Sequence, residues 1–194
     1  MIIKEQIPFV KVNNILASQT KHALDLLTDL IMKEKFDIII ELGTYKGGLT
    51  EFLYEFNKNL VSYDISDKDL ESKNKNINFR IGNSLEENTI NEIKQLVKDK
   101  KALILCDGGD KEKEFKIYSE IIEDGSYIMA HDFSHDKLSY ETHKNNVKWP
   151  SEAECYAWNL ETCISTGILH QSSYYSKFLS AFWGCFIKRK YNNN

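Results

Sequence analysis

The sequence predicts a doubly wound α/β domain, in which a mostly parallel sheet carries helices on both faces. Apolar runs rich in β-branched residues, typical of buried parallel strands, alternate with segments whose apolar residues repeat at helical spacing. Five of these apolar runs end on an acidic, amide or histidine residue. Because ligands bind at the carboxyl ends of the strands in such sheets, the same pattern predicts where the functional site lies.

Length and charge restrict the class of protein. We expect one domain over residues 1–194, because two would leave each half with a small core. The net charge is −4 with both signs dispersed, which argues against binding to nucleic acid or to an anionic membrane. The amino terminus has no apolar signal run, and no stretch reaches transmembrane length. We therefore expect a cytoplasmic protein; the oligomeric state is left open.

The four cysteines indicate neither a zinc knuckle nor a disulfide framework. They are Cys106, Cys155, Cys163 and Cys185, which are far apart and form no Cys-x-x-Cys pair. Cys106 and Cys185 fall in apolar strand-like runs, so we expect both in the core.

The chain divides into four parts. A helical amino-terminal segment covers 1–35, with a helix from Ser18 to Lys35 that Ser18 caps. The core, 36–132, alternates strands with helices, and 133–166 is the segment expected to build the substrate side, with a helix within 151–162. A strand pair at 167–190 closes the domain, and we expect its strands, near 167–173 and 181–188, to be antiparallel.

Within the core, five strands and three helices are predicted from the alternation of patterns. The strands are placed at residues 36–42, 59–64, 77–81, 102–106 and 126–130, and the helices at 48–57, at 85–100 and through the apolar positions of 115–122. Residues 66–76 are polar and suit a short exposed helix or a loop. The charged run 110–114 is predicted to be a solvated helix face.

The loop after the first core strand has the pattern Glu-x-Gly-x-x-x-Gly, formed by Glu41, Gly43 and Gly47. It lacks the glycine pattern of dinucleotide enzymes and the lysine of phosphate-binding loops. An acidic loop suits a ligand with cationic groups and hydroxyls, and S-adenosylmethionine (SAM) has a sulfonium, an ammonium and a ribose diol. Asp64 at the end of the second strand and the amide and hydroxyl at 83–84 favour the same cofactor.

Residues 36–132 resemble a class I SAM-dependent methyltransferase. Asp107-Gly108, a helix, and then the run from Gly125 to Asp132 are similar to the cephalosporin hydroxylase and rhamnosyl O-methyltransferase families. The resemblance implies a Rossmann-like seven-stranded sheet with a carboxy-terminal antiparallel strand. It also implies a cofactor site in which the loop holds the methionine part, Asp64 the ribose, and the next loop the adenine edge. The residues at these positions are Glu41, Gly43, Thr44, Tyr45, Gly47, Asp64, Asn83, Ser84 and Asp107.

The same resemblance implies a divalent cation, Mg²⁺ or similar, at Asp107, His131 and Asp132, which are also the expected catalytic residues. A hard cation there could hold a substrate hydroxyl and lower its pKa. His131 departs from an all-oxygen set: its imidazole suits Mn²⁺, Fe²⁺ or Zn²⁺ better, or acts as a general base. Lys111 or His135 could also be the base.

The predicted function is methyl transfer from SAM to a hydroxyl of a small molecule or saccharide. A metal-dependent oxygenase is the first alternative, although such iron sites need a second histidine that the sequence does not place. A non-catalytic module that binds the cofactor or a sugar is the second. Simpler roles also remain for two residues, since Asp107 could cap the following helix and His131 could be structural.

Overall fold

A seven-stranded sheet forms the centre of the structure, a computed structural model that describes residues 9–136, 138–139, 141, 155–156, 160, 164 and 169–189. All strands of the described residues are β1 (Phe9–Val12), β2 (Ile15–Thr20), β3 (Ile38–Leu42), β4 (Leu60–Asp64), β5 (Asn78–Ile81), β6 (Ala102–Cys106), β7 (Tyr127–His131), β8 (Phe133–Ser134), β9 (Cys155–Tyr156), β10 (Leu169–Gln171) and β11 (Trp183–Lys188). The large sheet has the order β10-β11-β7-β6-β3-β4-β5. Strands β3 to β7 within it are parallel, whereas β11 is antiparallel to both β7 and β10. This confirms the predicted sheet and its antiparallel carboxy-terminal strand.

Helices cover both faces of the sheet. They are α1 (Lys21–Glu34), α2 (Gly48–Phe56), α3 (Glu87–Val97), α4 (Lys111–Ile121) and α5 (Tyr175–Leu179). Side chains of β3 alternate between two cores: Ile39 packs with the face that contains α1, α2 and α5, whereas Ile38 and Ile40 pack with α3 and α4. Burial on both faces explains why β3 and β6 are continuous apolar runs rather than alternating ones.

The amino-terminal segment is not purely helical, which corrects the prediction for 1–35. Strands β1 and β2 form an antiparallel hairpin, and the two residues of its turn, Asn13 and Asn14, have φ of 51° and 67°. Asparagine tolerates this left-handed region, which two-residue hairpin turns require. Helix α1 begins after the hairpin, and its cap is Thr20, whose hydroxyl accepts from Ala23 N at 3.1 Å. Ser18 is therefore a strand residue and not the cap.

The remaining elements differ in smaller ways from the prediction. Residues 66–76 form turns, in agreement with the predicted loop alternative, whereas α5 lies between the two carboxy-terminal strands, where no helix was predicted. Cys155–Tyr156 is a short strand that pairs with β8, so the helix predicted there is wrong for these two residues. Most of the predicted helix at 151–162 lies outside the described residues. Cys106 and Cys185 are free and buried, as expected. In the described part of the chain, no helix is long and apolar enough to cross a membrane.

Candidate active site

The carboxyl ends of β3, β4, β6 and β7 meet along one edge of a cavity of about 910 Å³. Leu42 pairs with Cys106, and Cys106 pairs with Ala130. The residues that come directly after these three positions therefore lie side by side. The volume lies within the range of pockets that hold cofactors and small substrates. The wall contains most of the residues predicted from the sequence, namely Gly43, Thr44, Tyr45, Asp64, Asn83, Ser84, Asp107, His131 and Asp132.

The glycines of the loop after β3 are required by its geometry. Gly43 has φ of +97°, and a Cβ atom there would lie 2.3 Å from the carbonyl oxygen of Asp107. Gly47 has φ of +85° and caps α2 without lining the cavity. Tyr45 also has a positive φ, 49°, and its backbone N–H donates to Asp64 Oδ2 at 2.8 Å. The loop is thus tied to the end of β4.

Glu41 lies behind this loop and does not line the cavity. Its side chain is fully buried, and Oε2 accepts hydrogen bonds from Thr50 Oγ1 at 2.5 Å and Ser62 Oγ at 2.6 Å. Ser62 is in turn 2.5 Å from the hydroxyl of Thr44 on the cavity wall. Burial raises the pKa of Glu41 to about 8, so that its protonated form predominates at neutral pH. These hydrogen bonds support the loop from behind the cavity wall.

The end of the cavity next to β4 and β5 combines polar residues that follow these strands with an exposed apolar side chain. Ile65, directly after Asp64, is 74% exposed and lines the cavity. The side chain of Asn83 accepts from Leu85 N at 3.0 Å, which orders the loop after β5. Ile65 was not predicted from the sequence, although its position as an apolar residue directly after the acid that ends a strand marks it. A planar ligand here would cover Ile65 while its polar edge faced residues 83–84.

Glu114 and Lys111 are buried, so the prediction of a solvated face for 110–114 is wrong for both. Glu114 is 1% exposed; Oε1 accepts from Ser84 Oγ at 2.6 Å and Oε2 from Gly108 N at 3.2 Å. Burial raises the pKa of Glu114 to about 7. Nothing in the local sequence marks these two residues, because the groups that receive them belong to other strand ends.

Asp107, His131 and Asp132 converge at the end of β6 and β7. His131 Nδ1 lies 2.8 Å from Asp107 Oδ1 and 3.5 Å from Asp132 Oδ1. Consecutive strand residues normally face opposite sides of a sheet, but Asp132 has φ of 52°, which breaks the alternation and turns both side chains to the same place. One ligand atom from each residue lies within 4.8 Å of the others, and two of the three donors are the carboxylate oxygens that hard cations prefer.

Lys111 places an ammonium beside these acids. Its Nζ lies 3.1 Å from Asp132 Oδ2, and the side chain is buried. Burial disfavours the ammonium, but Asp107 and Asp132 outweigh this effect and raise the pKa of Lys111 above its ordinary value. Lys111 is therefore a fixed positive charge, poorly suited to be the base. His135, the other predicted base, is exposed beside Asp136 and does not line the cavity.

Two buried residues behind His131 were not predicted from the sequence. Gln19, on β2, places its Nε2 3.3 Å from His131 Nε2, and its Oε1 accepts from Trp183 Nε1 at 3.0 Å. The indole of Trp183 also packs against the imidazole, with ring centroids 4.6 Å apart. Burial opposes a charge on His131, whereas Asp107 and Asp132 favour it and raise its pKa. Within the described part of the wall, His131 is the one histidine, so no second histidine supports the oxygenase alternative.

Four non-glycine residues of the cavity wall have a left-handed backbone conformation. Ser18, Tyr45, Asp132 and Phe182 all have φ between 49° and 59°, and all four line the cavity. Non-glycine residues rarely adopt this conformation, and such strain is found preferentially at functional sites. The hairpin contributes Ser18 and Gln19 to the wall, so it is part of the site as well as of the fold.

Three features define a class I SAM-dependent methyltransferase with a Rossmann-like fold: the sheet order, the glycine loop after β3 and the acid that ends β4. A family model described as Rhamnosyl O-methyltransferase/CmcI matches residues 8–156. Since this match spans more than half of the chain, the protein belongs to that family. No match was found among the curated proteins.

Solved structures agree with this assignment at the level of the fold. An apo structure of CmcI is 12% identical, covers 93% of this chain and 76% of its own, and has a TM-score of 0.70. A CmcI structure described with Mg and SAM has a TM-score of 0.68 at 12% identity, covering 93% of this chain and 77% of its own. A putative caffeoyl-CoA O-methyltransferase from Staphylococcus aureus has a TM-score of 0.57 at 13% identity, with coverage of 94% and 86%.

Proposed function

We propose that this methyltransferase transfers the methyl group of SAM to a hydroxyl of a small molecule or a saccharide, assisted by a divalent cation. The observation that carries the proposal is the convergence of Asp107, His131 and Asp132 on the cavity that also contains the loop at Gly43 and the end of β4. The predicted cofactor loop and the acid cluster, formed by Asp107, His131 and Asp132, therefore line the same cavity.

Sheet geometry supports the position of the cofactor. Asp64 and His131 end strands that are three positions apart in the sheet, which is about 14 Å at the usual strand spacing. An extended cofactor can span that distance, with its ribose at Asp64, its adenine between Ile65 and the loop at 83–84, and its methionine along Gly43, Thr44 and Tyr45. The sulfonium methyl would then lie toward Asp107. The CmcI relatives described with SAM and with S-adenosylhomocysteine (SAH) support this choice of cofactor.

The donor chemistry of the acid cluster fits a divalent cation. Asp107 and Asp132 would hold it, and when bound it would supply a Lewis acid that lowers the pKa of the acceptor hydroxyl. The relative described with Mg and SAM supports a hard ion. Lys111 places a positive charge 3.1 Å from Asp132 Oδ2, beside the two carboxylates. The chemistry of the imidazole is compatible with two roles for His131, third metal ligand or general base.

The acceptor oxygen displaces the sulfur in line, so a C–O bond forms, the C–S bond breaks, and the hydroxyl proton must leave. The residues of this chain position the two reactants, and the carboxylates of Asp107 and Asp132 can accept that proton. Catalysis through positioning requires a rigid edge, and the tight contact between Gly43 and the Asp107 carbonyl provides one.

Cofactor binding and methyl transfer can be tested separately. Calorimetry with SAH should show binding, and incubation with methyl-labelled SAM and a panel of sugar and phenolic hydroxyl compounds should yield a labelled product. Asp132→Asn should retain SAH binding while transfer falls at least about a hundredfold, the range for loss of one electrostatic catalytic group. Asp25→Asn, on the exposed face of α1, is the matched control. Absence of SAH binding would contradict the proposal, and activity unaffected by both chelator and Asp132→Asn would remove its metal component.

A further inference from the structure

A chain of hydrogen bonds leads from the core to the acid cluster through His131. It begins at the indole of Trp183, passes through the side-chain amide of Gln19 to His131 Nε2, and ends where His131 Nδ1 meets Asp107. Trp183 is 0% and Gln19 is 2% exposed, so water does not substitute for these partners. The methyl transfer proposed above requires no contribution from Gln19 or Trp183.

The donors and acceptors in this chain admit one consistent arrangement. An indole N–H can only donate, so the atom of Gln19 that faces Trp183 at 3.0 Å must be the carbonyl oxygen. The amide NH₂ of Gln19 then faces His131 Nε2 at 3.3 Å, and that nitrogen must accept. In a neutral imidazole the proton is therefore on Nδ1, where it can donate to Asp107 Oδ1 at 2.8 Å.

We propose that Gln19, held by Trp183, is a positioning residue that keeps His131 in the tautomer with its proton on Nδ1. In this tautomer the nitrogen nearest to Asp107 and Asp132 has no lone pair for a metal ion. The cation site then consists of carboxylate oxygens, with His131 as a hydrogen-bond donor beside them. This consequence for the metal rests on the proposed function, whereas the tautomer does not.

The opposite tautomer would disrupt the chain of hydrogen bonds. With its proton on Nε2, His131 would need an acceptor there, so the amide of Gln19 would have to turn its oxygen toward His131. Its NH₂ would then face the indole N–H of Trp183, two donors in a buried contact. A nitrogen ligand for Zn²⁺ or Mn²⁺ is therefore disfavoured, while an oxygen-only site still suits Mg²⁺.

The tautomer can be measured directly on the full chain with SAH bound and no metal added. A ¹⁵N-resolved NMR spectrum of the histidine side chains, with His131 assigned from His131→Asn, should show the protonated nitrogen of His131 as Nδ1. In Gln19→Glu, the carboxylate can accept from both Trp183 Nε1 and His131 Nε2 while Asp107 still accepts from Nδ1, so His131 should carry a proton on Nε2 as well as on Nδ1. Gln95→Glu, on the exposed face of α3, introduces the same charge away from the cavity and should leave the wild-type spectrum unchanged.

Metal preference provides a second readout by calorimetry with Mg²⁺ and Mn²⁺. Gln19→Glu should raise the affinity for Mn²⁺ relative to that for Mg²⁺ by about tenfold, because a carboxylate that holds the proton on Nε2 lets Nδ1 release its own proton and become a ligand, whereas Gln95→Glu should leave this ratio unchanged. If Gln19→Glu does not fold, Trp183→Phe removes the N–H that orients Gln19, so the amide can turn its oxygen to His131 and a fraction of the molecules should carry a proton on Nε2. A wild-type proton on Nε2, or a folded Gln19→Glu in which Nε2 carries no proton, would overturn the proposal. Failure to bind any metal would contradict the proposed function and leave the tautomer result standing.

Discussion

Replacing Glu41 with glutamine should abolish a pH dependence of stability that comes from this single buried side chain. Burial raises the pKa of Glu41 from its ordinary 4.5 to about 8, despite the hydrogen bonds from Thr50 and Ser62. Its Oε1 has no hydrogen-bond partner among the described atoms. Glutamine has nearly the same shape and no charge, so Glu41→Gln removes the titration while it keeps an acceptor for Thr50 and Ser62.

The sign and size of the effect follow from proton linkage. Below pH 4.5 Glu41 is protonated in the folded and unfolded states, so it adds no pH dependence. Between 4.5 and about 8 the unfolded chain loses this proton and the folded chain keeps it, so stability falls as pH rises. One pH unit corresponds to about 1.4 kcal/mol, so wild type should lose about 3 kcal/mol relative to Glu41→Gln between pH 5 and pH 7.

Urea unfolding followed by circular dichroism at pH 5, 6, 7 and 8 measures this difference. The stability of wild type should decrease relative to that of Glu41→Gln over the whole range, while Glu120→Gln, an exposed control on α4, should follow wild type. SAH affinity at pH 7 should be the same in both proteins, because Glu41 does not line the cavity. Parallel stability profiles for wild type and Glu41→Gln would refute the assignment of Glu41 as a buried, protonated acid.

Three further substitutions test the loop, the ribose site and the charge balance. Gly43→Ala should lower the free energy of unfolding by about 2 kcal/mol or more, measured in urea, because a Cβ meets the Asp107 carbonyl at 2.3 Å; a smaller loss means that the edge is not rigid. Asp64→Asn should weaken SAH binding about tenfold in calorimetry, since a charged acceptor for the ribose is lost, and equal affinity would contradict that role. Lys111→Met should raise Mg²⁺ affinity about tenfold in calorimetry, because its ammonium no longer pairs with Asp132; a decrease would show that the ammonium helps to order the site.

The strand ends were predictable because two signals coincide at each of them. An apolar run marks a strand buried on both faces, and the polar residue that follows marks the edge where a parallel sheet binds ligands. Asp64, Asp107 and His131 were found in this way, and all three line the cavity. Glu41 shows the limit of the method: it is one residue before the end of β3, where strand alternation buries it beneath the loop.

Residues that act through tertiary contacts were not predictable from local pattern. Gln19 lies on the short strand β2, whose hairpin partner ends at Val12, and only the fold brings it to His131, 112 positions later. Lys111 and Glu114 belong to a run that has the composition of a solvated helix face. Their burial depends on acids, amide hydrogens and hydroxyls that other strand ends provide. The sequence contains these residues but no local sign of their partners.

The charge balance of the acid cluster links Gln19 to cation binding. Asp107 and Asp132 supply two negative charges and Lys111 one positive charge, so a neutral His131 leaves the cluster with one net negative charge that attracts a divalent cation. An imidazolium at His131 would cancel that charge. A second proton could only go to Nε2, against the NH₂ that Gln19 presents there. The residue that sets the tautomer therefore also opposes the protonation that would make the cluster electrically neutral.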